Sequence, residues 1–210
     1  MFWQQKYFIF DDVVPVAVQN ELENYLLGPT PWGFVADVTS SDELNDDKRP
    51  GFNHQLVDNG NIVTSKKNMD FLNQILNGVF SNLYKMSKEK GEYSVIQSRA
   101  FLQLPLNALS DKEYDNHHID TFQKHISILY YVSNADGETV LFENMYSPKA
   151  NPSPEDILSN RPDEEQLVEK ARVMPKKGRV LVFDGYHWHT ATQPTKGVRL
   201  VINTNIDQRA

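Results

Sequence analysis

The sequence contains no cysteine in 210 residues. That absence excludes disulfide frameworks, thiolate zinc sites, iron–sulfur clusters and cysteine nucleophiles together, so any metal has to be held by histidine and carboxylate. No apolar run approaches the roughly 18 residues of a membrane-spanning helix. The first residues, Met1-Phe2-Trp3-Gln4-Gln5-Lys6, lack the basic segment and small-residue cleavage site of a secretory leader. The expectation is a cytoplasmic protein without a membrane partner. Positive charge is also scarce: 21 Lys and Arg face 28 Asp and Glu, a net charge of −7. Such a balance opposes sequence-independent binding to a phosphate backbone, so nucleic acid is not an expected partner. The short basic run Lys176-Lys177-Gly178-Arg179 sits just before an apolar strand, where a charged turn is its expected role. No internal repeat is present, which excludes a solenoid. Nothing in the sequence fixes an oligomeric state.

The chain has the hydrophobic content, 40%, of one that buries a core, and its length suits a single domain. Residues 1–92 read as helix-rich support. Lys6 to Phe10 alternates like a strand, and Val16 to Leu27 has helical spacing through Val18, Leu22, Tyr25 and Leu26. Gly28-Pro29-Thr30-Pro31 ends that helix. Ser40 to Pro50 is polar and acidic and reads as a surface loop. A second helix is expected from Lys66 to about Glu89, with an apolar stripe at Phe71, Ile75, Val79, Leu83 and Met86.

From Tyr93 the pattern changes to strands, and residues 93–206 read as a β-rich core. The expected strands are Tyr93 to Leu104, His125 to Ser133, Thr139 to Glu143, Arg179 to Asp184 and Val198 to Ile206, with turns at Asn134-Ala-Asp-Gly137 and Thr195-Lys-Gly197. Residues 145–173 interrupt them as an insertion with Pro148, Pro152, Pro154 and Pro162, followed by an acidic, helix-prone stretch from Asp163 to Ala171. A surface excursion is expected there.

The chemistry-bearing pattern is His118-Ile119-Asp120 just ahead of a predicted strand. Alternation puts residues 118 and 120 on one side of an extended segment, so an imidazole and a carboxylate can converge. A later histidine adds a second imidazole. Two imidazoles and one carboxylate on one face of an ion, with positions left open, is the ligand set of non-haem iron(II). By itself His-x-Asp is a weak signal. On spacing alone His187 and His189 both qualify as the third ligand. His117 points away in an extended segment and is expected to be exposed or to support a ligand, while His125 and His54 are expected to be structural or solvated.

Several elements recur in a fixed order: His118-x-Asp120, the strand Ser127-Ile-Leu-Tyr-Tyr131, Gly137-Glu-Thr139, Gly178-Arg-Val-Leu-Val-Phe183, and His189 followed ten positions later by Arg199. Over roughly Tyr93 to Ile206 the sequence thereby resembles the prolyl-4-hydroxylase-like branch of the 2-oxoglutarate and iron(II)-dependent dioxygenases. The resemblance implies a mainly β fold with N-terminal supporting helices, a double-stranded β-helix of the jelly-roll, cupin-like type. It implies iron(II), 2-oxoglutarate as co-substrate, O2, and ascorbate as a possible reductant. It assigns His118, Asp120 and His189 to the metal and so favours His189 over His187. It assigns Arg199 to the distal carboxylate of 2-oxoglutarate, with Tyr131 adding a hydrogen bond. A guanidinium suits that task because its planar fork holds a carboxylate bidentately and stays charged when buried.

The resemblance implies hydroxylation of a C–H bond in a prolyl peptide or an amino-acid-like small molecule. Arg99 and Gln103 alternate with Phe101 on the strand before His118, where they either line the mouth of the site or form an outward polar face. Two alternatives stand beside this reading. One is an oxygenase acting on alkylated nucleic acid or on a protein lysine, and the other is a cupin-like metal-binding protein without oxygenase activity.

Overall fold

Two antiparallel sheets pack face to face in the computed structural model, which describes residues 7–36, 49–87, 92–105, 114–149 and 153–209. The strands are β1 (Tyr7–Phe10), β2 (Gly33–Val35), β3 (Gly51–Asp58), β4 (Asn61–Ile62), β5 (Glu92–Gln103), β6 (Ile126–Tyr131), β7 (Thr139–Met145), β8 (Glu169–Val173), β9 (Val180–Asp184), β10 (His187–Ala191) and β11 (Arg199–Arg209). The major sheet runs β1-β9-β6-β11-β5-β3-β2, with β4 paired to β3, and the minor sheet runs β10-β7-β8. This is the expected double-stranded β-helix of jelly-roll type.

Period-two alternation explains how one strand serves two layers. On β11, Leu200 and Ile202 face outward and pack under the helices α1 (Val16–Leu27) and α2 (Lys66–Ser87), against Leu22, Leu26, Leu72, Ile75 and Val79. Val201, between them, faces the space between the sheets and meets Leu129, Tyr131, Leu141, Val173, Leu181 and Phe183. β6 is buried at every residue because both of its faces are covered, which is why Ile126 to Tyr131 reads as a continuous apolar run apart from Ser127. Behind the minor sheet a third cluster gathers Ile119, Val140, Phe142, Tyr146 and Trp188.

Both helices fall where apolar spacing predicts them, with Phe71, Ile75, Val79 and Leu83 buried; Met86, the last residue of the expected stripe, is exposed. The N-terminal part is more than helical support, because it contributes β1, β2, β3 and β4 to the major sheet. Most of the expected loop from Ser40 to Pro50 lies outside the described residues, but Arg49 at its end is buried and ion-paired with Asp115 at 2.8 Å. The 145–173 excursion also needs correction. It carries a short helix, α3 (Pro154–Ser159), and its end is not helical: a 3-10 turn at Glu164–Gln166 leads into β8. Thr139 pairs with Val173, and Leu141 with Ala171. Ladder pairing and burial of Val173 and Ala171 in the lumen override the helix propensity of this acidic stretch. The basic run before β9 is a turn as expected, with Gly178 at φ 82°. Its charges are matched, since Lys176 and Arg179 bind Asp11 and Lys177 binds Glu23.

Candidate metal centre and carboxylate site

His118 and His189 are tied together by their backbones. The N–H of His118 donates to the carbonyl of His189 at 2.9 Å, and the N–H of His189 donates back at 3.0 Å. This single antiparallel bridge sets the two imidazoles side by side, with ring centroids 4.5 Å apart. Ile119 turns away into the cluster behind the minor sheet, so Asp120 returns to the side of His118 as alternation requires. One ligand atom from each of His118, Asp120 and His189 lies within 4.8 Å of the others. Among the described residues it is the one such cluster of metal-ligating side chains.

Hydrogen bonding prepares these donors. Nδ1 of His118 faces the carbonyl of Asn116 at 3.3 Å, and Nδ1 of His189 faces that of His187 at 3.0 Å. A carbonyl can only accept, so both protons sit on Nδ1 and both Nε2 lone pairs are free to ligate. Burial, reinforced by the neighbouring imidazole, pushes the pKa of His118 down to about 4, so its ring is neutral at pH 7. For Asp120, burial acts to raise the pKa, but His189, His118 and His125 outweigh it and hold the carboxyl below the usual carboxylate range. Its Oδ1 accepts from Asn203 Nδ2 at 2.9 Å and its Oδ2 from the hydroxyl of Ser127 at 3.1 Å. Two imidazoles with Nε2 turned to the cluster and an oriented carboxylate suit a divalent iron ion.

Arg199 begins β11 on the same lumen face as Val201 and Asn203. It is 5% exposed. Its Nε donates to the Gly137 carbonyl at 2.9 Å, and its two terminal nitrogens donate to Gln103 Oε1 and Thr139 Oγ1, each at 2.8 Å. All three acceptors are neutral, and among the described residues no carboxylate pairs with this guanidinium. Burial pushes its pKa below the ordinary arginine value. An unpaired buried cation is costly and calls for an anion. Tyr131, fully buried, donates to Thr139 Oγ1 at 2.8 Å, so it reaches Arg199 through the threonine hydroxyl. Gly137 has to lack a side chain, because a Cβ there would stand 2.7 Å from the Thr192 carbonyl and 3.1 Å from Arg199 Cδ.

The other histidines are sorted by the same geometry. The β10 register shifts between His187 and His189, so the two do not repeat the regular alternation that would place them on one side. His187 donates Nδ1–H to the Phe142 carbonyl at 2.8 Å and lies outside the ligand cluster. Trp188 packs behind the minor sheet. His117 is buried rather than exposed, edge-on to Phe142 and Trp188, with Nε2 2.8 Å from the Pro162 carbonyl. His125 is buried and donates Nδ1–H to Gln123 at 2.7 Å. Sequence reasoning missed Asn203 and Ser127 as partners of Asp120, and Thr139 as the link between Tyr131 and Arg199. Their position on lumen-facing strand residues was the available signal.

A profile of the 2OG-Fe(II) oxygenase superfamily matches residues 105–207. No curated protein sequence matches significantly. Among solved structures, the chain is similar to an oxidoreductase of the 2OG-Fe(II) oxygenase family from Burkholderia pseudomallei, at 15% identity, over 97% of this chain and 86% of that one, with a TM-score of 0.65. It is similar to the non-heme alpha ketoglutarate dependent epimerase SnoN from nogalamycin biosynthesis, at 10% identity, over 95% and 77%, with a TM-score of 0.62. A prolyl-4-hydroxylase from Pseudomonas putida aligns at 13% identity over 97% and 93%, with a TM-score of 0.52. At these identities the structural likeness speaks for the fold.

Proposed function

We propose that the chain is an oxygenase of the 2OG-Fe(II) superfamily, whose profile matches residues 105–207, and that it hydroxylates a C–H bond of a prolyl peptide or an amino-acid-like small molecule. Its cofactors are iron(II), 2-oxoglutarate and O2. In this reading His118, Asp120 and His189 hold the iron, and Arg199, with Gln103, Thr139 and Tyr131 around it, holds the distal carboxylate of 2-oxoglutarate. When bound, the iron with the keto acid and O2 supplies the oxidant for the substrate C–H bond, and the keto acid leaves as succinate and carbon dioxide.

The observation that carries the proposal is the pairing of the two half-sites on one strand face. Asn203, which holds Asp120, and Arg199 are four residues apart on β11, roughly 13 Å at the usual strand rise. Side chains reach in from both ends, and a five-carbon dicarboxylic acid suits the interval between them. The lumen residues Leu129, Leu141, Phe183 and Val201 keep this space apolar, which strengthens both charge interactions and excludes water.

An apolar-lined metal site without oxygenase activity would have no use for a buried guanidinium lacking a carboxylate, which weighs against the cupin-like binding protein. The test is a coupled measurement of O2 uptake and succinate release with iron(II) and ascorbate, across proline-containing peptides, free proline and other amino acids. Slow 2-oxoglutarate turnover alone, accelerated by one class of added compound, is expected. No consumption of 2-oxoglutarate under any condition would overturn the proposal.

A further inference from the structure

Arg99 lies directly opposite Asn203 in the β5–β11 ladder, one strand across from the residue that holds Asp120. It shares the lumen-side face of β5 with Phe101, since Ala100 and Leu102 between and beyond them pack toward the helices. Its guanidinium lies 5.0 Å from the centroid of the Phe101 ring, and its charge is felt at both His118 and Asp120. Yet Arg99 Nε is buried without a hydrogen-bond partner, and among the described residues no carboxylate forms an ion pair with this side chain. Nothing in the account of metal and co-substrate uses it.

Asn203 supplies a second unsatisfied atom. Asn203 turns its amide nitrogen to Asp120 Oδ1, which leaves Oδ1 of Asn203 as the other end. That Oδ1 is buried without a partner, in a residue only 6% exposed. Two directly opposed residues beside the metal cluster therefore leave one cationic donor and one neutral acceptor unmatched. Buried polar atoms are rarely left so, and each calls for a partner that the protein does not itself supply, whether water, ion or ligand; what singles out these two is their place beside the ligand cluster.

We propose that Arg99 and Asn203 recognise the prime substrate, and that the substrate is a small molecule of amino-acid type whose carboxylate pairs with Arg99 and whose N–H donates to Asn203 Oδ1. A single guanidinium set over one aromatic ring matches a singly charged carboxylate better than a phosphate dianion. An interior prolyl residue of a peptide carries no such charge. The inference rests on the oxygenase reading above and narrows it to the free amino acid side of the substrate class.

The test uses protein loaded with zinc(II), a redox-silent divalent ion, and saturated with 2-oxoglutarate. Free L-amino acids, proline among them, and the matching primary amides are titrated calorimetrically into the wild type, Arg99→Gln and Arg99→Lys. At least one free acid is expected to bind the wild type more tightly than its amide. That preference should fall roughly tenfold to a hundredfold in Arg99→Gln, the range of a charge-assisted hydrogen bond, and recover in part in Arg99→Lys. The affinity for 2-oxoglutarate itself should be the same in all three proteins. No acid-over-amide preference across the panel, or a preference that survives Arg99→Gln, would overturn the proposal. So would a loss of 2-oxoglutarate affinity in Arg99→Gln, since Arg99 would then serve the co-substrate. Failure of 2-oxoglutarate to bind any of the three proteins would instead count against the oxygenase reading.

Discussion

The carboxylate of Asp120 is held from both oxygens, and the stronger hold is Asn203, whose Nδ2 lies 2.9 Å from Oδ1. Partners that orient a ligating carboxylate typically account for 10–100-fold in metal affinity. Asn203→Leu keeps the branched shape and removes the donor, so its iron(II) affinity is expected to fall by about tenfold or more. Ser127→Ala, which removes the 3.1 Å bond to Oδ2, should have a smaller effect. Competition titration with a metal-binding dye measures both. Unchanged affinity in Asn203→Leu would mean that Asp120 does not need this bond to ligate.

The two histidines of β10 make a contrasting pair. His189→Ala is expected to lose the one iron per chain that the wild type binds, as are His118→Ala and Asp120→Ala. His187→Ala should retain iron and lose stability instead, because it empties a buried position and removes a bond to the Phe142 carbonyl, a loss of about 1–3 kcal/mol. Metal analysis after gel filtration, together with denaturant unfolding, separates the outcomes. Iron lost from His187→Ala and kept by His189→Ala would reverse the assignment.

Away from the site, Asp11 gives a pH-dependent prediction. The Arg179 guanidinium, with Lys176 beside it, outweighs partial burial and holds the Asp11 carboxyl at about 2, below its ordinary value of 3.8. A group whose pKa is lower when folded stabilises the fold above its unfolded pKa, and that contribution fades as pH falls through the folded value. The stability difference between wild type and Asp11→Asn is therefore expected to be constant above about pH 5, at no more than ~1 kcal/mol for so exposed a pair, and to shrink between pH 4 and pH 2. Unfolding curves across that range, or a carboxyl titration followed by NMR, check it. A difference that grows on acidification would contradict the pairing.

The sequence carried the lumen-facing half of the site further than its supports. That His118 and Asp120 share one side was legible from alternation, while the choice of His189 and Arg199 came from the order and interval of the family motifs; the structure brings His118, Asp120 and His189 together and buries Arg199. Both helices were legible from apolar spacing alone. Asn203, Ser127 and Thr139 were harder to read: alternation puts them on the lumen face with Val201, Leu129 and Leu141, but nothing local says which polar residue there holds a ligand. β8 was hidden for a different reason: its acidic surroundings favour helix locally, and only pairing with β7 makes it a strand. The buried Arg49–Asp115 pair joins positions 66 apart in sequence, which no local pattern reveals.

The co-substrate end of the site gives the most direct test of the whole account. Arg199 is a buried cation whose three partners are all neutral, so the anion that completes it should be the distal carboxylate of 2-oxoglutarate. The measurement is titration of 2-oxoglutarate into iron(II)-loaded protein without O2, followed by the absorbance change on chelation. Wild type is expected to bind one equivalent. Arg199→Gln should keep its iron but need about two orders of magnitude or more additional 2-oxoglutarate, taking ~3–5 kcal/mol for a broken buried pair and ~1.4 kcal/mol per tenfold. Arg199→Lys should lose less, because the charge survives without the fork. Tyr131→Phe should lose less again, because Tyr131 acts through Thr139. If Arg199→Gln bound 2-oxoglutarate as tightly as wild type, the carboxylate would be anchored elsewhere and the assignment of this lumen to 2-oxoglutarate would be contradicted.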